Sequence, residues 1–377
     1  MIKVAHLLKY YLSQSETFIW QYLHSFKQVY PVIITYAIKN LEQFPLANGK
    51  IYSISGRRGS PSWFLSNWYK RILNRPLGFA QRIIKREKIH VLHAHSGFYG
   101  SHFLPLSTTL NLPLVTTFYG LDISCRDTIK EYEDRYRLLF EIGSLFLVEG
   151  PQMKKRLLRL GCHEDKISIQ HIALDLKNYH FRIRTWDGKR PVRFLFVGRF
   201  VEKKGLEYAL EALSVIKERF PLTFTIIGDG ELAATLKAKC QELAFRQQIF
   251  WHGMQPHNLV ITEIEKCDIL IQPSITAKNG DSEGGAPTVL LEAQACGVPI
   301  ISSIHSDIPY ITVPGKSALL SAEKDISGLV ENITFLLENS DCWAEIGQAG
   351  RNHVANYHNV DREIVKLTNK YLMLSQD

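Results

Sequence analysis

Two doubly wound α/β domains, each a parallel sheet with helices on both faces, are the architecture this sequence predicts. Three observations lead there. Short β-rich runs alternate with longer helical patterns from end to end, which is the signature of βαβ units. The alternation falls into two series separated by a polar, Gly-containing stretch without periodicity. Finally, 377 residues are two or three domains' worth at roughly 100–200 residues each.

In the first series the strands are expected at Ile2–Leu8, Val32–Tyr36, Val91–His95, Leu114–Phe118 and Phe146–Val148. The second series is Arg193–Val197, Thr223–Ile227, Ile249–His252, Ile269–Gln272 and Ile300–Ser303. Between them, Arg182, Arg184, Asp187, Gly188, Lys189 and Arg190 mark 179–190 as the linker. The domains are therefore expected at 1–178 and 191–358, with a last helical pattern, Val360 through Leu374, inside 359–377.

Composition narrows the class. Apolar residues make up 45% and charged residues 22%, the balance of a globular chain rather than a disordered one. No apolar run approaches the roughly 20 residues of a membrane span. The opening Met1-Ile2-Lys3-Val4-Ala5-His6-Leu7-Leu8 is too short for a signal peptide and reads as a strand, so a cytoplasmic protein is expected. The six cysteines are scattered, with no C-x-x-C pair and no zinc spacing, which points to a reducing compartment and no structural metal. Cys296 follows an apolar helical pattern and reads as a small buried hydrophobe.

Charge is concentrated. Between Gly56 and His90 stand Arg57, Arg58, Lys70, Arg71, Arg75, Arg82, Lys85, Arg86 and Lys88 against the single acid Glu87. Within 61–86, Phe64-Leu65, Trp68-Tyr69 and Ile72-Leu73 recur every four residues and form an aromatic stripe on one helical face. Such a helix can lie on an anionic membrane, each Lys or Arg adding about 1 kcal/mol. It can equally pack its stripe on a core, and both readings stay open. Nucleic acid is not an expected partner, because no RNA-recognition, helix-turn-helix or zinc-finger signature is present.

In open α/β sheets, ligands bind beyond the carboxyl ends of the strands. His93-Ala94-His95, Tyr119-Gly120-Leu121-Asp122, Gly198-Arg199 and Gly228-Asp229-Gly230 occupy such positions. None fits G-x-G-x-x-G, and no Walker lysine loop exists, which disfavours nicotinamide and P-loop chemistry. After the strand ending at Gly198, Arg199 and Lys204 flank a short loop entering a helix, a place for a diphosphate. The alternative is a pair of surface cations, against which the position after a strand argues. Further on, Gly284 and Gly285 allow close backbone approach, and Pro287 suits a first helical turn. The amides near Thr288 and Val289 would then face an anion. Glu292, one turn into that helix, is placed to accept sugar hydroxyls; the alternative is that Glu283 is a plain loop carboxylate and Glu292 a solvated one.

Together these segments resemble the retaining glycosyltransferases of family 4, with the GT-B fold: two Rossmann-like domains facing a central cleft. The nearest branch in character is the one that builds bacterial exopolysaccharide, capsule and colanic-acid-type chains. The matching residues are Ser15-Glu16-Thr17-Phe18-Ile19, His93-Ala94-His95, Thr117-Phe118-Tyr119-Gly120-Leu121-Asp122, the Gly198-Arg199…Lys204-Gly205 element, Gly228-Asp229-Gly230, and Glu292-Ala293-Gln294-Ala295-Cys296-Gly297-Val298-Pro299. Three departures stand out. Eight residues separate Glu283 from Glu292 where the family has seven. Tyr119 stands where the family often has His, and a phenol with a pKa of about 10 is no neutral base. Tyr310 stands where Glu is common.

The resemblance implies a metal-independent, retaining hexosyl transfer from a nucleotide sugar, with no cofactor; no D-x-D occurs in the chain. It implies catalytic roles for Arg199, Lys204, Glu283 and Tyr119, with the first two on the leaving diphosphate and Tyr119 orienting the donor. Donor contacts are implied at Glu292, Gly198, Gly228, Gly285, Thr288, Val289 and Met254. Ser15, Glu16 and His95 are implied on the acceptor side, where a glycan, lipid-linked at the inner membrane face, is expected; they read equally as capping and core residues. The linker would act as a hinge that closes water out. Two other readings remain: a nucleotide-sugar epimerase of the same fold, and a non-catalytic nucleotide-sugar-binding protein.

Overall fold

A computed structural model describes residues 1–14, 16–55, 77–285 and 287–376. The chain divides into two compact units: Met1–Ile123 with Asp127–Ala173 and Val360–Asp377, and Leu174–Asn359 with Ser124–Arg126.

The first unit is a parallel seven-stranded sheet: β1 (Ile2–Tyr11), β2 (Val29–Ile38), β3 (Lys50–Ser53), β4 (Val91–His95), β5 (Leu114–Thr117), β6 (Leu145–Val148) and β7 (Ile167–Ile169). Their order is β3-β2-β1-β4-β5-β6-β7, so the direction of winding reverses between β1 and β4. The register there pairs His6 with His93 and His95 with Thr117. Side chains alternate across a sheet, so His6, His93, His95 and Thr117 share one face. The apolar runs of β1, β4 and β5 are buried on both sides, as strands covered by helices require. Ile19, Leu23, Ile364, Leu367 and Tyr371 join the core on one face of the sheet, bringing in the helix Val360–Leu374.

The second unit holds a parallel six-stranded sheet of β8 (Val192–Val197), β9 (Leu222–Ile227), β10 (Ile249–Gly253), β11 (Ile269–Gln272), β12 (Ile300–Ser303) and β13 (Ala318–Ser321). The order β10-β9-β8-β11-β12-β13 reverses between β8 and β11. Every strand expected from the sequence is present. Three further strands, β3, β7 and β13, are three or four residues long and stand at sheet edges.

The stretch 179–190, expected as a linker, lies inside the second unit. Tyr179, Arg184 and Trp186 are buried in it. Trp186 stacks on Trp343 with centroids 6.1 Å apart. Arg184 donates to the carbonyls of Ile264, Glu265 and Cys267, at the end of the helix His257–Lys266. Those carbonyls have no partner within the helix, and a cation suits that end of its dipole. The polar composition therefore conceals anchors.

Of the basic stretch 61–86, the residues up to 76, including the aromatic stripe, lie outside those described. The helix Gly78–Glu87 turns Ala80, Ile83 and Ile84 to the core. Among the described residues, no helix is long and apolar enough to cross a membrane.

Candidate active site

In the second unit the polar residues gather where β8 and β11 end, beside the winding reversal. Gly228 has φ +141°, and a Cβ there would stand 1.9 Å from the Gly198 carbonyl oxygen, so β8 and β9 can end side by side only with glycine at 228. Gly205, with φ +66°, is likewise closed against Pro273 O at 1.9 Å. Its turn presses Lys203 and Lys204 against the end of β11.

Lys204 Nζ lies 2.8 Å from Glu283 Oε1, and Ser274 Oγ donates to the same oxygen at 3.0 Å. Burial acts to raise the Glu283 carboxyl, yet the Lys204 and Lys203 ammonium groups overcome it and hold it at about 2. Burial lowers the Lys204 ammonium below its ordinary value, with Glu283 opposing. The backbone N–H of Glu283 donates to His305 Nε2 at 3.1 Å, so His305 carries its proton on Nδ1, 2.6 Å from Glu323 Oε1. Lys203 Nζ bonds Asp281 Oδ1 and the Ser282 carbonyl. Ser306 Oγ donates to the Glu283 and Gly284 carbonyls, and Asp307 N to Gly285 O. The loop that carries the extra residue is thus held from below, and Glu283 is still buried and paired with Lys204.

Arg199 is exposed and has no ion-pair partner among the described residues. Its charge reaches Lys204 and lowers that ammonium further. Glu292 is buried in the helix Thr288–Ala295. Its Oε1 accepts from His257 Nε2 at 2.6 Å and from Tyr179 Oη at 3.3 Å. Burial works to lower the His257 imidazolium, but the Glu292 carboxylate outweighs it and raises it. Oε2 of Glu292 has no partner among the described residues. Thr288 and Val289 open that helix, where the first amides lack intrahelical acceptors. Met254 is exposed, one residue past the end of β10, and Tyr310 is exposed too.

The first unit carries its own polar cluster. Asp122 accepts the backbone N–H groups of Tyr119, Gly120 and Gly97 at 3.2, 3.0 and 2.9 Å, fixing the turn that displays Tyr119. Burial raises the Asp122 carboxyl, with these amides opposing. Tyr119 Oη meets His95 Nδ1 at 2.7 Å, and His95 Nε2 meets His6 Nδ1 at 2.9 Å. Burial, and then the Glu149 carboxylate, push the Tyr119 hydroxyl well above its ordinary value, so it stays protonated. Burial takes the His95 imidazolium down to about 3, leaving a neutral ring. Both ring nitrogens of His95 are committed to protein partners. Glu16 accepts from the Ser13 amide at 2.7 Å, and Ser15 lies outside the described residues.

Sequence reasoning missed His6, His257, Tyr179 and His305. His6 and His305 are exposed to inspection only by strand register and loop closure. His257 carried a weak signal, as a polar residue opening the helix after β10.

Comparison with known proteins places these features in context. The family described as "Glycosyl transferases group 1" matches residues 180–353, and "Glycosyltransferase Family 4" matches residues 21–178. A putative colanic acid biosynthesis glycosyltransferase of Salmonella typhimurium is 30% identical over 281 residues, 71% of this chain and 69% of that protein. An amylovoran biosynthesis glycosyltransferase of Erwinia amylovora is 34% identical over 216 residues, 57% of this chain and 53% of its own length. Among solved structures, Anabaena HepE in complex with UDP and glucose superposes with a TM-score of 0.78 at 13% identity, covering 98% of this chain and 99% of that one. Sucrose-phosphate synthase from Thermosynechococcus elongatus gives 0.79 at 15% identity, covering 99% of each. These two carry the fold, and the fold is GT-B.

Proposed function

Because this chain belongs to the glycosyltransferases of group 1 and family 4, we propose that it transfers a hexose, with retention, from a nucleotide sugar to a lipid-linked glycan in bacterial surface-polysaccharide synthesis. The relatives named for colanic acid and amylovoran synthesis support the pathway class. The observation that carries the chemistry is the largely buried Lys204–Glu283 pair at the ends of β8 and β11, together with the buried Glu292.

Breaking the anomeric C–O bond passes through an oxocarbenium-like state while negative charge builds on the diphosphate. The charge is met by Lys204 and Arg199 and by the first amides of the helix Thr288–Ala295, all fixed beforehand, in place of a divalent metal. Glu283, ionised at every ordinary pH, accepts hydrogen bonds from hydroxyls of the donor sugar. Glu292 takes the ribose hydroxyls on its open Oε2 while His257 holds Oε1. The departing phosphate takes the acceptor proton. Tyr119 keeps its own proton and orients the donor, as its raised hydroxyl allows. The protein works in the cytoplasm at the membrane's inner face, with the basic 61–86 stretch as its contact.

The test is a thermal-shift and turnover panel of UDP-, GDP-, ADP- and dTDP-sugars. A ligand at 100 times its Kd adds about 2.7 kcal/mol of stability. Nucleoside diphosphate release that requires a glycan acceptor is expected; release without acceptor and with an epimerised sugar indicates the epimerase. No shift with any donor overturns the proposal.

A further inference from the structure

Three imidazoles of the first unit stand together on one face of its sheet, where the winding reverses. His6 on β1 pairs in register with His93 on β4, and His95 follows two residues on. Ring centroids lie 5.4 Å apart for His6 and His93, 5.2 Å for His6 and His95, and 4.3 Å for His93 and His95. One ring nitrogen from each lies within 4.8 Å of one from each of the others. Among the described residues, no other three His, Cys, Asp or Glu side chains gather in this way. All three rings are buried, His6 and His93 almost completely.

Their six ring nitrogens are unevenly served. His93 meets Tyr371 Oη with Nδ1 and Thr117 Oγ1 with Nε2, and His95 Nδ1 meets Tyr119 Oη at 2.7 Å. Among the described residues His6 Nδ1 and His95 Nε2 meet only each other, at 2.9 Å, and His6 Nε2 is buried with no partner at all. Two lone pairs cannot face each other at that distance unless something positive lies between them. A proton meets that need for one contact; a metal ion meets it for three rings at once.

Burial holds His6, His93 and His95 below their ordinary values, so the rings are neutral, the form that ligates a metal. A neutral imidazole offers one lone pair and keeps one N–H. Three such rings supply three ligands and release no proton. They also line a cavity of about 30 Å³, room for one water-sized occupant. The buried Glu149 carboxylate stands in the same wall and supplies negative charge for a cation.

We propose that His6, His93 and His95 bind one divalent transition-metal ion of the zinc type, which pins β1 to β4. Imidazoles suit Zn2+, with Zn–N bonds of about 2.0–2.1 Å and nitrogens therefore about 3.3 Å apart in a tetrahedral site. The His6–His95 pair is near that spacing, and His93 is brought in by rotation of its side chain. His95 ligates through Nε2 while its Nδ1–H donates to Tyr119, the kind of outer partner that orients a ligating ring. Water fills the fourth position. The scattered cysteines, which argued against a structural metal, say nothing of a third histidine that only strand register adds. The ion is structural, and the proposal does not depend on the diphosphate chemistry proposed for the second unit.

Full-length protein, stripped with a chelator and dialysed, should take up one Zn2+ per chain in calorimetric titration and unfold at a higher temperature with it. His6→Gln and His93→Gln should each weaken that binding about tenfold or more. His163→Gln, on the surface, should leave it unchanged. A titration that shows no Zn2+ bound, or binding that both inner variants retain, overturns the proposal, as does binding lost with His163 alone. If the inner variants do not fold, X-ray absorption at the zinc edge of the loaded wild type decides. Three imidazoles around the metal support the site, since no other described group supplies them. Fewer than three, or sulfur ligands, overturn it.

Discussion

Lys204 and Glu283 are each other's counter-charge, 2.8 Å apart at the end of β11 and both largely buried. On the proposed reading, a nucleotide diphosphate arriving at Lys204 would meet an ammonium already aimed by a carboxylate rather than one searching through rotamers. On that reading the pair would tie stability to catalysis.

Replacing Lys204 by Met should leave Glu283 buried and unpaired, at a cost of about 3–5 kcal/mol in unfolding free energy. Lys204→Met with Glu283→Gln should recover most of that stability by calorimetry and none of the activity. Recovery of turnover in the double variant would show that the pair is structural only.

Acid should reveal the same pair. The Glu283 carboxyl goes from 4.5 unperturbed to about 2 in the folded chain. A lowered folded value means stability that is present above about 4.5 and lost as pH falls toward 2. At about 1.4 kcal/mol per pH unit this amounts to about 3 kcal/mol. Glu283→Gln should flatten the unfolding free energy in that window, measured by urea titration at successive pH values.

Glu292→Gln should weaken binding of the nucleotide alone, since an accepting carboxylate is worth about 1.5–3 kcal/mol to a hydroxyl donor. Calorimetric titration of UDP or GDP should show a Kd about ten to a hundred times higher. An unchanged Kd would take Glu292 off the ribose.

Gly228→Ala should break the junction of β8 and β9, because the new methyl meets the Gly198 carbonyl oxygen at 1.9 Å. Gly188→Ala is the control, with φ +76° and open space around it. It should cost only about 1–2 kcal/mol from backbone strain. Thermal unfolding compares the two directly.

Trp186→Ala should destabilise the second unit by about 3–5 kcal/mol, the range for large aromatic truncations in a core. Limited proteolysis of the wild type should spare 179–190, since Tyr179, Arg184 and Trp186 are buried there. Rapid cleavage within that stretch would return it to the status of a free linker.

Much of this was legible in the sequence because interior strands of a parallel sheet are continuous apolar runs. Arg193–Val197 and Ile269–Gln272 can be read residue by residue for that reason. Lys50–Ser53 and Ala318–Ser321 could not, being short edge strands whose pairing partner, not their own composition, makes them strands. Lys204, Glu283 and Glu292 could be singled out by residue type and by place, after a strand or early in a helix. Of the imidazoles behind Tyr119, His93 and His95 were visible at their strand end but His6 was not, because it becomes their neighbour only through the β1–β4 register. The segment 179–190 was misjudged because Arg184 spends its charge on helix carbonyls, where a polar composition is compatible with full burial.

The helix Val360–Leu374 belongs to the first unit although residues 174–359 precede it in the second. Translation therefore delivers the whole second unit before the first can close. A nascent chain must keep the Thr17–Ser25 face uncovered on the ribosome until Ile364, Leu367 and Tyr371 emerge. Trimming that late segment removes a wall of the earlier half, and with Tyr371 the hydroxyl that holds His93.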